Sequence, residues 1–293
     1  MYVVDEGRMV GSTVVRFPEL LSNNDRWSSP VSSKHPAFCR ERSDETMRTT
    51  RGSTAAALLL PDGSVLKNRL LGALPPELYA QVVKDLRMTK VVLGAGLIEH
   101  GAPVKHVYFP NGGVYSVTNQ MRDGEQVEVA TVGTEGMLGV GVFLGDLMGT
   151  GRSLQQVPNG LLPTMAVARF QHYTATAGPF RDAVARYAQA NLLQVMQCTA
   201  CNALHTIEQR CCRWLLQTHD RVDNDEFQLK HEFLAIMLGT TRPSVTVVIG
   251  SLQRAGLITS KYGRIRILDR KRLEETSCEC YDAIRTQFIR LRI

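Results

Sequence analysis

Near Pro179 the hydrophobic period of this chain switches from two residues to about 3.6, which excludes an all-β or an all-helical fold. Upstream lie short runs rich in β-branched residues: Lys90–Leu93, His106–Phe109, Val114–Thr118, Gln126–Val132 and Thr164–Arg169. Gly94–Ala95–Gly96, Pro110–Gly113, Arg122–Asp123–Gly124 and Pro158–Gly160 separate them with turn chemistry. Short strands at regular spacing predict an antiparallel barrel or roll, with Asp123–Gly124 closing a tight hairpin. Ahead of the roll, Asn68–Leu86 has helical spacing interrupted by Pro75–Pro76. Downstream, Val184, Tyr187, Ala188, Asn191, Leu192, Val195, Met196, Ala200 and Leu204 recur three and four apart. That stripe is long and narrow enough to serve as a dimer seam. The fold class is therefore α+β.

Four segments follow. Residues 1–55 read as a disordered tail, from turn-rich stretches such as Ser22–Asp25 and Thr49–Ser53. Residues 56–178 hold the β-roll, 179–222 the long helix and a connector, and 223–293 a small basic module. Within the connector, Thr206 and Gln209 have capping-box spacing, and Asp220–Asp225 is polar enough to be a linker. No apolar run approaches the roughly 18 residues of a spanning helix, and no secretory h-region follows Asp5, Glu6 and Arg8. Seven cysteines, including the adjacent Cys211–Cys212, do not suggest a disulfide framework, so a cytoplasmic location is expected.

Charge singles out the last segment. From Leu229 onward twelve basic residues face six acidic ones, which accounts for the whole formal excess of +6. A basic module on a neutral body points to a polyanion, nucleic acid first. Phe233, Leu234 and Met237–Leu238 predict a short helix stopped by Gly239. Thr241 then offers an N-cap and Pro243 a first-turn proline for a second helix, which buries Val245, Val248, Ile249 and Leu252 and ends at Gly256. Two short helices joined by a glycine-containing turn make a helix-turn-helix, whose second helix enters the major groove. Its expected DNA-facing residues are Thr241, Arg242, Ser244, Thr246 and Gln253. Residues 257–267 read as a hairpin wing, with Lys261, Arg264 and Arg266 placed for phosphates.

Residues 233–246 (FLAIMLGTTRPSVT) and 252–258 (LQRAGLI) resemble the DNA-binding motif of the Crp/Fnr superfamily of bacterial transcription regulators. Gly94–Ile98 and Phe109–Val114 resemble that family's cyclic-nucleotide-binding β-roll, and Cys201–Arg210 with Trp214–Leu216 its interdomain helices. The resemblance covers roughly residues 65–290. It implies a homodimer joined along the long helix and bound to double-stranded DNA at a two-fold-symmetric operator. RNA polymerase is a further implied partner; a membrane is not.

The resemblance also marks departures. The family's cyclic-AMP binders pair a Gly–Glu, for the ribose hydroxyl, with a downstream Arg–Ser for the cyclic phosphate. Here Gly139 is followed by Val140, and Arg152–Ser153 sits about three residues too far downstream. No cofactor is implied outright: a cyclic nucleotide held by Gly139, Arg152 and Ser153 is the one candidate, and Val140 argues against it. Glu135 could replace the missing carboxylate only if its loop were rearranged. In the recognition helix Pro243 and Val247 stand where the pattern has Glu and a second Arg, so the operator should differ from that of well-known members. Cys198, Cys201 and His205 lie at i, i+3 and i+7, which spreads the outer pair over about 10 Å on a continuous helix. They are read as small apolar residues rather than ligands, as are Cys278 and Cys280, and no metal site is expected. No P-loop, Gly-x-Ser-x-Gly or His-Glu-x-x-His occurs, so the expectation is a regulator and not an enzyme. The alternative class is a ligand-binding regulatory module, or a thiol or metal redox sensor, without specific operator binding.

Overall fold

A computed structural model of the protein describes residues 58–158 and 160–292; the tail expected at 1–55 lies outside the described residues. Two short helices come first, α1 (Arg69–Gly72) and α2 (Pro76–Val82). The Asn68 side chain caps α1 by accepting from the Leu71 amide at 3.0 Å, and proline opens α2. Seven strands follow: β1 (Arg87–Thr89), β2 (Gly96–Ile98), β3 (His106–Tyr108), β4 (Val114–Gln120), β5 (Gln126–Val132), β6 (Arg152–Val157) and β7 (Leu162–Ala166). They form two antiparallel sheets, ordered β2-β6-β4-β5 and β1-β7-β3.

Several strand expectations are corrected. The run expected at 90–93 is displaced to β1, and the Gly96 read as a turn starts β2. The run 164–169 splits into β7 and a helix, α3 (Val167–Thr174). β6 has no counterpart among the expected strands. Its residues Ser153 to Val157 are buried without an alternating pattern, so it carries no period-two signal. Gln155 explains one polar member, its Nε2 donating to the Tyr115 hydroxyl at 2.9 Å. Asp123–Gly124 does lie between β4 and β5, in a loop spanning Met121 to Glu125 rather than a two-residue turn.

The long helix is α4 (Pro179–Leu204), and α5 (Ile207–His219) starts from the expected capping box of Thr206 and Gln209. The stripe on α4 divides, which corrects its reading as one seam. Val184 and Tyr187 are buried against the roll, where the Tyr187 hydroxyl donates to the Met137 carbonyl at 3.0 Å. Leu192, Met196 and Leu204 remain exposed.

The C-terminal part runs β8 (Glu226–Gln228), α6 (His231–Met237), α7 (Arg242–Arg254), β9 (Ile258–Lys261), β10 (Arg264–Ile267), α8 (Arg270–Thr276) and α9 (Cys280–Arg290). One apolar core joins α1 to α4 with Ile284 and Phe288 of α9. Another joins Trp214, Leu215 and the α6–α7 pair with Val114 and Val157 of the roll. Between roll and C-terminal part sits Glu128 of β5, buried, accepting from Trp214 Nε1 at 3.0 Å and from the Ser116 hydroxyl. Burial pushes its carboxyl up to about 7.

Candidate nucleic-acid interface and sensor cavity

α7 is assembled by local chemistry. Thr241 Oγ1 accepts from the Ser244 amide at 3.4 Å and lies 3.0 Å from Ser244 Oγ, so both hydroxyls are engaged at the cap. Pro243 fills the first turn, and Gly256, at φ 72, closes the helix in the left-handed region. Val245, Ile249 and Leu252 are buried in the core shared with α5 and α6. The bend between α6 and α7 is 103°, within the helix-turn-helix range.

The opposite face of α7 carries exposed Arg242, Thr246, Val247 and Gln253. Arg242 Nε lies 3.1 Å from Glu232 Oε1 on α6, an exposed pair that contributes little to stability. Thr246 Oγ1 donates to the Arg242 carbonyl at 3.1 Å and lies 3.2 Å from His231 Nδ1. Gln253 stands in the last turn, roughly 16 Å along the axis from Arg242 at 1.5 Å per residue, so it does not join the N-terminal group. Val247, 69% exposed, is more than a lost arginine. It is an apolar side chain on the exposed face of the helix, one turn in from the N-terminus.

The wing is the antiparallel sheet β8-β10-β9. Tyr262 (φ 51) and Gly263 (φ 72) form its two-residue turn, and Tyr262 projects fully exposed from the tip. Its three cations are not equivalent. Arg266 and Arg264 both pair with Glu226, at 2.9 and 3.2 Å, and their bonds hold the Glu226 carboxyl below its usual range. Lys261 makes no ion pair among the described residues. Glu226 escapes a reading of the sequence because β8 is too short to announce itself there.

Between roll and α4 lies a cavity of about 250 Å³, lined by Val117, Met137, Val140 and Ser153 from the roll and by Asn191 and Val195 from α4, among others. None of its lining side chains is charged. Gly139 borders it at φ 86, where an added Cβ would stand 3.2 Å from Val107 Cγ1. Gly139 and Ser153 are thus brought together, but Arg152 is not. It lies outside the lining, with its Nε 3.3 Å from Glu99 Oε2. Glu135 is committed elsewhere: buried, it accepts from Arg221 Nη2 at 2.7 Å and from the Gly133 amide at 2.9 Å. Burial raises its carboxyl, but the Arg221 guanidinium outweighs that and holds it below the usual range.

The thiols regroup. Cys198 lies apart, its Sγ 3.6 Å from Arg213 Nη1. Cys201 and His205, at the end of α4, meet Cys278 and Cys280 from the α8–α9 junction, with all four ligand atoms within 4.8 Å of one another. The cysteines are buried, as expected of small apolar residues, but they are grouped differently in space than along the chain. The i, i+3, i+7 trio is the wrong grouping because two of the partners come from a distant segment.

Residues 209–276 match the family model of the Crp-like helix-turn-helix domain. A 57-residue stretch, 20% of this chain, is 42% identical to the transcriptional regulator SdrP of Thermus thermophilus; the match spans 28% of that relative's length. The fold is similar to that of FixK2 from Bradyrhizobium japonicum, with a TM-score of 0.56 at 13% identity over 66% of this chain and 96% of that one. It is also similar to a CRP-family transcriptional regulator from Thermus thermophilus, with a TM-score of 0.54 at 20% identity over 66% and 95%. Residues 209–276 thus match a Crp-like helix-turn-helix domain, carried on a fold similar to that of solved CRP-family regulators.

Proposed function

We propose that the protein is a homodimeric, sequence-specific DNA-binding regulator acting on a pseudo-palindromic operator. The observation that carries this reading is α7, which buries Val245, Ile249 and Leu252 while presenting Arg242, Thr246 and Val247 outward. Arg242 grips guanine O6 and N7, and Val247 packs on a thymine methyl. Lys261 holds phosphate without base preference, and Arg264 and Arg266 do so by exchanging Glu226 for the backbone. Dimerisation uses the exposed apolar line of α4, Leu192, Met196 and Leu204, because a stripe of this kind on a long helix is otherwise left against water.

The roll acts as a sensor or dimer scaffold that does not take cyclic AMP in the Gly–Glu and Arg–Ser manner. Its cavity offers Val140 to a ribose hydroxyl and no guanidinium to a phosphate, since Arg152 is paired with Glu99 outside it. An unpaired buried hydroxyl costs roughly 1–3 kcal/mol, and a phosphate without a cation costs more. Selection of bound sequences from a random duplex library, followed by footprinting of the winner, tests the reading. A two-fold-symmetric motif protected on both half-sites is expected. Binding without sequence preference would instead favour a regulatory module that contacts its partners through charge alone.

A further inference from the structure

Arg210 and Arg213 of α5 present an unsolved charge problem. Both are buried, and the Nε of each has no hydrogen-bond partner. Arg213 Nη1 donates to the neutral Gln217 Oε1 at 2.9 Å, and Arg210 Nη1 to the Leu238 carbonyl at 2.9 Å. Neither guanidinium forms an ion pair with a carboxylate among the described residues. Burying two cations in this way requires negative charge nearby. Glu128 acts on Arg213, but burial raises its carboxyl to about 7, so it carries only part of a charge at neutral pH. The other groups close to both arginines are the thiols of Cys201 and Cys278.

We propose that Cys201, His205, Cys278 and Cys280 bind one zinc ion, clamping the last turn of α4 to the α8–α9 junction. The geometry is that of a single tetrahedral ion. With zinc–sulfur bonds of about 2.3 Å and zinc–nitrogen bonds of about 2.0–2.1 Å, tetrahedral ligands stand about 3.8 Å apart for two sulfurs and about 3.6 Å for sulfur and nitrogen. Cys201 Sγ and Cys278 Sγ are 3.5 Å apart, and so are Cys280 Sγ and His205 Nδ1. All four atoms lie within 4.8 Å, so they converge on one ion rather than surrounding a multi-iron cluster.

The surroundings match a closed structural site. His205 turns Nδ1 toward the sulfurs and Nε2 toward Glu279 Oε2, at 3.3 Å, the carboxylate–histidine arrangement that orients a metal-bound imidazole. Gln197 Nε2 donates to Cys280 Sγ at 3.0 Å, as an amide does toward a thiolate. Three thiolates, a neutral imidazole and a divalent ion carry a net charge of −1, which the orphaned arginines complement. Cysteines packed as ordinary apolar residues would join a larger core. These three instead form a cluster of their own, apart from the aliphatic ones.

The test uses the full chain, purified under reductant with no added chelator. Metal content is read by elemental analysis, and coordination by the absorption spectrum after exchange to cobalt(II). One zinc per chain and the intense ligand-field bands of a tetrahedral thiolate site are expected. Cys280→Ser should abolish that spectrum, whereas Cys198→Ser should leave it unchanged. Glu279→Gln, at an exposed position that does not endanger folding, should weaken metal affinity 10- to 100-fold. Folded, reduced protein that takes up no cobalt would overturn the proposal. So would cobalt affinity unchanged in both Cys280→Ser and Glu279→Gln.

Discussion

Glu128 lies where the roll meets the C-terminal helices, and its protonation should be readable as a slope of stability against pH. The carboxyl is buried between β5 and α5 and is bonded by Trp214 and Ser116. Burial raises it to about 7 from an ordinary 4.5, against the opposing effects of the Ser116 bond and the Arg213 charge. The folded state therefore binds this proton more tightly than the unfolded chain does. The resulting stability is complete below about pH 4.5, declines as pH rises and is lost above about pH 7. At roughly 1.4 kcal/mol per pH unit, the whole effect is about 3 kcal/mol. Glu128→Gln keeps an acceptor for Trp214 and removes the titration. Urea unfolding of wild type and Glu128→Gln from pH 5 to 8 isolates the effect, because other titrating groups cancel in the difference. Wild-type stability relative to the variant should fall across that range and flatten above pH 7. With Trp27→Phe in both proteins, Trp214 becomes the sole tryptophan and a local reporter. A difference independent of pH within about 0.5 kcal/mol would refute the argument, since that is the scale on which independent effects cancel.

Further outcomes follow from the same geometry. Arg242→Ala should cost about 1–3 kcal/mol of operator affinity and relax preference at one base pair per half-site, whereas Lys261→Ala should weaken all sequences alike and lower the salt slope by about one; titrations at several salt concentrations separate them. Leu192→Lys should yield monomers by light scattering, since its side chain is 60% exposed in one chain and its charge would be trapped only in a dimer. A variant that stayed dimeric would place the seam elsewhere. Calorimetry with cyclic AMP should give no micromolar binding; such affinity, abolished in Arg152→Ala, would show that Arg152 leaves Glu99 and enters the cavity.

Much of the C-terminal part is legible residue by residue. The Thr241 cap, Pro243 in the first turn and Gly256 at the end act within one or two turns of their own helix, so spacing along the chain reports them. The break between α4 and α5 is legible for the same reason, as Thr206 and Gln209 satisfy each other's orphaned groups. β6 is illegible because both of its faces are covered, and burial on two sides erases the alternation that identifies a strand. α4 shows a subtler failure. One apolar stripe marks Val184, Tyr187 and Leu192 alike, yet hydrophobicity does not specify whether a side chain meets its own roll or a second copy.

The deepest divide concerns the thiols. Along the chain, Cys198, Cys201 and His205 are neighbours and Cys278 is 77 residues from Cys201. In space Cys198 faces Arg213, while Cys201 and His205 face the Cys278–Cys280 pair. The identity of these residues as soft ligands, and the caps and periods that make their helices, are properties of short segments and are present in the order of the amino acids. Their convergence depends on α9 packing back onto α4, a long-range contact favoured by burial of Ile284 and Phe288 in the core of the roll. Apolar burial is non-directional, so the sequence marks those side chains as buried without stating which distant surface receives them.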